Sequence, residues 1–163
     1  MIVVNKNGTL IHNKKLYKCA LGKYGVTKHK VEGDKKTPAG IFTLGKVFYR
    51  NDRIKNLKTK LTKVIIKKGM SWCDDPKNKY YNKLIFTNNK NKEKLYRKDH
   101  LYNIIVVINY NMKPIKKNKG SAIFIHLARK NFTGTMGCVA LRKNDLLEIL
   151  QSVSKNTKIK INS

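Results

Sequence analysis

The sequence predicts a mostly-β domain with one well-formed helix near the C-terminus. Three observations carry that expectation. Apolar residues fall in short runs rich in Val and Ile, which suit strands. One late segment repeats its apolar residues at helical spacing. No Pro/Gly-rich or charged linker divides the chain, so residues 1–163 read as a single domain.

Taken in order, strands are expected at Ile2–Val4, Leu16–Leu21, Gly40–Leu44, Val64–Lys67, Ile104–Ile108, Ala122–His126 and Cys138–Leu141. Asn7-Gly8 lies between apolar runs and predicts a hairpin turn. Lys158-Ile159-Lys160-Ile161 alternates with period two, as a half-exposed strand does. Asp145–Ser154 predicts the helix, because Leu146, Leu147, Leu150 and Val153 share one face. Asn144 stands where a cap would, and Asp145 and Glu148 put negative charge near the positive end of the helix dipole. A second, short and polar helix is expected at Lys92–Lys98. Asn51–Lys63, Thr87–Asn91 and Asn111–Gly120 read as loops.

The chain carries 37 Lys+Arg against 9 Asp+Glu, a net charge of +28. With 40% apolar residues it is no disordered basic tail. The charge nominates nucleic acid, anionic lipid or an acidic polymer as partners. Sequence-specific DNA readout leans on Arg forks, and Arg is confined to Arg50, Arg53, Arg97, Arg129 and Arg142, so no specific nucleic acid is expected. Lys, Asn and Ile are all abundant, as an A+T-rich coding sequence would supply, which is a second source for the same charge. Three Cys exclude a disulfide scaffold. No apolar run reaches the roughly 18 residues of a spanning helix, so no transmembrane segment is expected. The run at Met1–Lys6 is too short for a signal peptide. The chain therefore stays in the cytosol, is exported by a route its sequence does not display, or lacks its leader. Cys19, Cys73 and Cys138 have no CxxC spacing, and His12, His29 and His100 form no His-x-x-x-His pair. No P-loop or complete dinucleotide fingerprint occurs. Neither metal nor other cofactor is expected, and a monomer is the default.

Chemistry concentrates between Gly120 and Leu141. His126 closes one expected strand and Cys138 opens the next, across a polar loop with two glycines. Such a loop can bring imidazole and thiol to the same end of a sheet. The thiolate is the nucleophile, and a neighbouring imidazole lowers the thiol pKa and takes its proton. Gly137 permits a turn closed to other residues. The N–H groups of Met136, Gly137 and Cys138 could then converge on an oxyanion. Against this stands the plainer reading of Cys138 as a small buried residue at a strand start.

Four motifs together resemble the YkuD-like L,D-transpeptidases. They are Glu32-Gly33-Asp34-Lys35-Lys36-Thr37-Pro38-Ala39-Gly40-Ile41-Phe42; Gly69-Met70-Ser71-Trp72-Cys73-Asp74-Asp75-Pro76 with Tyr81-Asn82; Gly120-Ser121-Ala122-Ile123-Phe124-Ile125-His126; and Thr135-Met136-Gly137-Cys138-Val139. They follow in family order over nearly the whole chain. The resemblance implies a YkuD-like β-sandwich and acyl transfer on peptidoglycan stem peptides in the cell envelope or periplasm. It makes Cys138 the nucleophile and His126 the general base, with the Leu127 carbonyl orienting the imidazole. It places the oxyanion hole at the amides of Gly137, Cys138 and Met136, braced by Thr135. Transfer to an amine gives a 3→3 cross-link, and transfer to water makes a carboxypeptidase.

The chain departs from the family at Met136, where many members have His, at Leu127, where many have Gly, and at Ala140, where many have Arg. Arg129 or Arg142 could replace that lost guanidinium toward a carboxylate. Trp72, Asp74, Tyr81 and Asn82 are further candidates for a substrate cleft, with Asp75 beside them as a second acid. Asp34 is expected to order the turn before Thr37. A different class of function also fits, a basic binding module that keeps the fold and holds cell wall or another polyanion. Met136 and Ala140 favour it.

Overall fold

A computed structural model describes residues 1–87 and 92–163. Its strands are β1 (Ile2–Asn5), β2 (Thr9–His12), β3 (Lys15–Ala20), β4 (Val26–Thr27), β5 (Thr37–Pro38), β6 (Gly40–Tyr49), β7 (Lys63–Ile65), β8 (Met70–Trp72), β9 (Leu84–Phe86), β10 (Glu93–Lys94), β11 (Ile104–Ile108), β12 (Phe124–Leu127), β13 (Val139–Leu141) and β14 (Lys158–Ile161). The helix α1 spans Lys143–Ser152.

Among the described residues, β11-β12-β13-β3-β2-β1-β14-β6-β7 form one sheet, and β6 also pairs with β11. The long β6 makes this possible. Its Gly40–Thr43 half lies against β14, and its Leu44–Tyr49 half lies against β11 and, in part, β7. The pairing therefore returns to its start through β6, a closed barrel-like circuit rather than two independent sheets. A three-stranded sheet, β10-β8-β9, and a two-stranded pair, β4-β5, stand outside it.

Strand alternation sorts the apolar side chains into two cores. Ile104, Val106, Ile108, Ile125, Val139 and Leu141 point into the circuit, where they meet Ile2, Val4 and Leu10 and the Leu146, Ile149 and Leu150 of α1. Ile105, Val107, Phe124 and Phe48 point outward into a second core, closed by Ile66, Met70, Trp72, Leu95, Leu101 and Tyr102. Each such burial is worth about 1.5–3 kcal/mol. The second core includes Cys138, the candidate nucleophile of the sequence.

Some expectations need correction. Lys92–Lys98 is not a helix: Glu93–Lys94 pair with β8, and Leu95 inserts into the second core. Burial of one leucine and ladder bonds to β8 outweigh a weak helical preference. Asn144 is no cap, since α1 begins at Lys143 directly after β13 and Arg142 occupies the cap position without a side-chain bond. The stretch from Asn51 to residue 62 is irregular, yet it buries Ile54, Leu57 and Leu61. Of the expected loop Thr87–Asn91, residues 88–91 lie outside the described residues. No described helix is long and apolar enough to cross a membrane.

Candidate active site

The register of β12 and β13 sets the site. They run parallel with Ile125 opposite Val139 and His126 opposite Ala140. Ile125 and Val139 face the inner core, so His126, and Cys138 one residue before β13, share the outer face. Both line one cleft of about 230 Å³, together with Glu93, Arg97, Leu101, Tyr102, Arg129, Met136 and Ala140. Both are almost wholly buried, His126 at 7% exposure and Cys138 at 6%.

His126 holds Nδ1 2.9 Å from its neighbour's carbonyl, that of Leu127. A carbonyl only accepts, so Nδ1 carries the proton and Nε2 keeps its lone pair. The ring of Tyr102 stacks edgewise on the imidazole at 5.2 Å. Burial drives the His126 pKa down to about 4, so the ring is neutral at ordinary pH.

The Cys138 thiol donates to the Ala122 carbonyl at 3.2 Å and accepts from the Phe124 N–H at 3.4 Å. Burial pushes its pKa up to about 12. Among the described residues no hydrogen bond joins the sulfur to the imidazole. The resting pair is therefore a thiol beside a neutral base. The lowered thiol pKa expected from the sequence is corrected here, because desolvation outweighs a nearby neutral imidazole.

The loop between the two strands is held tightly. Thr135 accepts the Gly137 N–H at 3.1 Å and donates its hydroxyl to the Cys138 carbonyl at 2.7 Å. Its backbone bridges to Gly22: its N–H reaches the Leu21 carbonyl, and its carbonyl receives the Lys23 N–H. Gly22 is fixed in turn by the buried Thr37 hydroxyl at 2.8 Å. Thr37 thus supports the Thr135–Cys138 turn from outside the cleft. Gly137 has φ +134°, and a Cβ there would come within 2.9 Å of the Lys36 carbonyl. Only glycine meets both conditions without strain. The Gly137 N–H, one of the expected oxyanion donors, is occupied by Thr135 in this arrangement.

The other candidates separate clearly. Arg129 lines the cleft. Arg142 does not, and its guanidinium lies over the Phe132 ring at 5.4 Å. Trp72 is interior, packed edgewise on Phe124 at 5.2 Å, and donates Nε1–H to Asn82 Oδ1 at 2.9 Å. Asn82 is 2% exposed. It also accepts the Ala122 N–H at 3.1 Å and donates to the carbonyls of Tyr110 and Asn111. Ala122 sits at φ +52°, a costly conformation for a residue with a Cβ, and Asn82 holds it there. Tyr81 is buried and donates its hydroxyl to Glu32, which also receives the Ser121 hydroxyl. Trp72, Tyr81 and Asn82 are thus interior groups behind the strand that carries the site, not cleft walls. Asp74 is absent from the cleft lining, and Asp75 pairs with Lys92 at 3.3 Å. Asp34 orders its turn as expected, accepting the N–H groups of Val31 and Lys36 at 2.9 and 2.8 Å.

Sequence reading missed one wall of the cleft, built by Glu93, Arg97 and Tyr102. Arg97 lies over the Tyr102 ring at 5.0 Å and 3.8 Å from Glu93. Two other arginines pin this segment. Arg50 donates to the Arg97 carbonyl at 2.9 Å, and Arg53 donates to the carbonyls of Asp99 and Lys98 at 2.7 and 3.0 Å. The available signal was that three of the five arginines would have to cluster around residues 97–103, which no local pattern reveals.

Comparison with known proteins identifies the family. The family model for the YkuD L,D-transpeptidase catalytic domain matches residues 1–161. No curated protein matches the chain. The crystal structure of the helical cell shape determining protein Pgp2 from Campylobacter jejuni is similar at TM-score 0.50 and 18% identity, over 99% of this chain and 46% of that one. An L,D-transpeptidase from Mycobacterium smegmatis is similar at TM-score 0.48 and 15% identity, over 99% and 58%. The chain spans about half the length of these structures. With the family model covering nearly every residue, the chain belongs to the YkuD L,D-transpeptidase catalytic domain family.

Proposed function

We propose that these residues form a single catalytic domain, a cysteine acyltransferase acting on peptidoglycan stem peptides in the cell envelope. The observation that carries this is the placement of Cys138 and His126 on one face of adjoining parallel strands, in one cleft. As substrate enters, the Cys138 thiol leaves the Ala122 carbonyl and turns to His126 Nε2. The imidazole takes the proton while sulfur attacks the carbonyl before a terminal D-Ala. Negative charge on the carbonyl oxygen is received by amides of the Met136–Cys138 turn, with Gly137 exchanging its Thr135 bond for the oxyanion. The C–N bond breaks, His126 returns the proton to the departing amine, and a thioester remains. An acceptor amine then attacks and gives its proton to His126, and as the C–S bond breaks the imidazolium returns that proton to the sulfur, restoring the thiol and the neutral base. Water in that role yields a carboxylate instead.

The cycle starts from neutral partners: burial holds the thiol up at about 12 and the imidazole down at about 4, so proton transfer between them is uphill until bound substrate supplies the oxyanion contacts. A base with a pKa of about 4 stays unprotonated across the working range, and the proton moves only when the developing oxyanion is stabilised. The Leu127 carbonyl keeps the ring in the correct tautomer. Arg129 and Arg97 face a carboxylate of the stem, and Glu93 faces an amine. Purified peptidoglycan digested with the wild-type protein should release D-Ala and gain 3→3 cross-links or shortened stems, and Cys138→Ala should abolish both. Equal product from Cys138→Ala would overturn the assignment.

A second reading is a wall-binding module without turnover. It is favoured by the engaged Gly137 amide and by the thiol pushed up to about 12. In that case the same digestion gives no product with either protein, while both bind the polymer.

A further inference from the structure

A buried lysine stands beside the Gly137 turn but outside the cleft. Lys30 is 5% exposed, and its Nζ lies 3.7 Å from the point where a Cβ on Gly137 would stand. Its stem presses on Gly120, where a Cβ would come within 2.8 Å of Lys30 Cγ. The ammonium donates to the Val31 carbonyl at 3.2 Å and to the Asp34 carboxylate. An ammonium has three N–H groups, and these two are its partners among the described residues. Burying a lysine is expensive and rarely serves packing alone.

Charged groups surround Cys138 on two sides. On the cleft side are Glu93, Arg97, Arg129, the Tyr102 hydroxyl and neutral His126. Behind the turn are Lys30 and its partner Asp34, with Glu32 held nearby by Tyr81 and Ser121. Glu93 opposes negative charge on the sulfur, whereas Lys30 favours it. Arg97 lies against Glu93 and Tyr102, so its charge is partly spent there.

We infer that Lys30 is a positioning residue for the acyl transfer: its buried ammonium supports, through the Gly137 backbone, the negative charge that arises at the Gly137–Cys138 turn. Asp34 sets how much of that charge the turn feels. In a poorly solvated site a fixed charge at this range acts strongly and needs no reorganisation during attack. The inference rests on Cys138 being the nucleophile.

The two partners should act in opposite directions, which a purely structural pair would not do. Lys30→Met alone would leave a carboxylate without its cation, so both partners are changed together. The probe is iodoacetamide at about pH 8.5, read residue by residue by peptide mass spectrometry, because alkylation follows the thiolate fraction. Asp34→Asn should speed alkylation of Cys138 above wild type. Lys30→Met/Asp34→Asn should fall to or below wild type, about tenfold slower than Asp34→Asn, the equivalent of one pKa unit. Cys19, buried in the inner core, monitors global opening in the same sample. Equal rates for Cys138 in the two variants, or parallel changes at Cys19, would overturn the inference. Acylation of wild-type Cys138 by a carbapenem is scored separately. Acylation without the opposing shifts sinks Lys30 alone, and opposing shifts without acylation sink the nucleophile and leave the coupling.

Discussion

The His126 imidazole is held neutral by burial, and this has a consequence for stability. An unfolded imidazole takes its proton near pH 6.5, whereas His126 waits until about 4. Between those values the unfolded chain binds more protons, so stability falls as pH drops through the window. The wild type should lose about 2 kcal/mol more than His126→Gln between pH 7 and about pH 4.5, read from urea unfolding midpoints. Equal losses would mean that His126 titrates like an exposed histidine. The same burial explains which residues the sequence could reveal. Cys138 and His126 stood out because a thiol and an imidazole at strand ends have few other uses together. Asn82 and Trp72 stood out too, but for the wrong role. Polar groups that satisfy one another inside the protein look, in a sequence, like polar groups that await a ligand.

At the scale of elements, the parallel step from β12 to β13 makes the site, and the turn entering β13 limits what can change. Gly137→Ala places a Cβ at φ +134° and against the Lys36 carbonyl. It should cost about 1–3 kcal/mol, seen as a lowered midpoint in denaturant unfolding with the fold retained. An unchanged midpoint would show that the turn relaxes freely. The strands around the site were legible because β11 is an unbroken run of β-branched residues and β12 and β13 are short apolar runs bounded by Gly and polar residues, and α1 was legible because its leucines recur at helical spacing. The wall carrying Glu93, Arg97 and Tyr102 was not. It has almost no regular structure, and its position comes from Arg50 and Arg53, more than 40 residues away in sequence. Long-range hydrogen bonds of that kind leave no local period to read.

At the scale of the whole molecule, a closed strand circuit carries an inner core for stability, and its outer face carries a second core that opens into the cleft. The +28 charge is spread over this body and opposes its compactness, so the packing of both cores has to outweigh it. Under the proposed function, stem peptides with free carboxylates would be drawn to such a surface at long range before reaching Arg97 and Arg129 in the cleft. The central claim, that Cys138 is an acylating nucleophile, is tested most directly by intact-protein mass spectrometry after incubation with a carbapenem. The account predicts one added drug mass on the wild type, mapped to Cys138, and none on Cys138→Ala. An adduct of unchanged mass on Cys138→Ala, or an unmodified wild type, would contradict it.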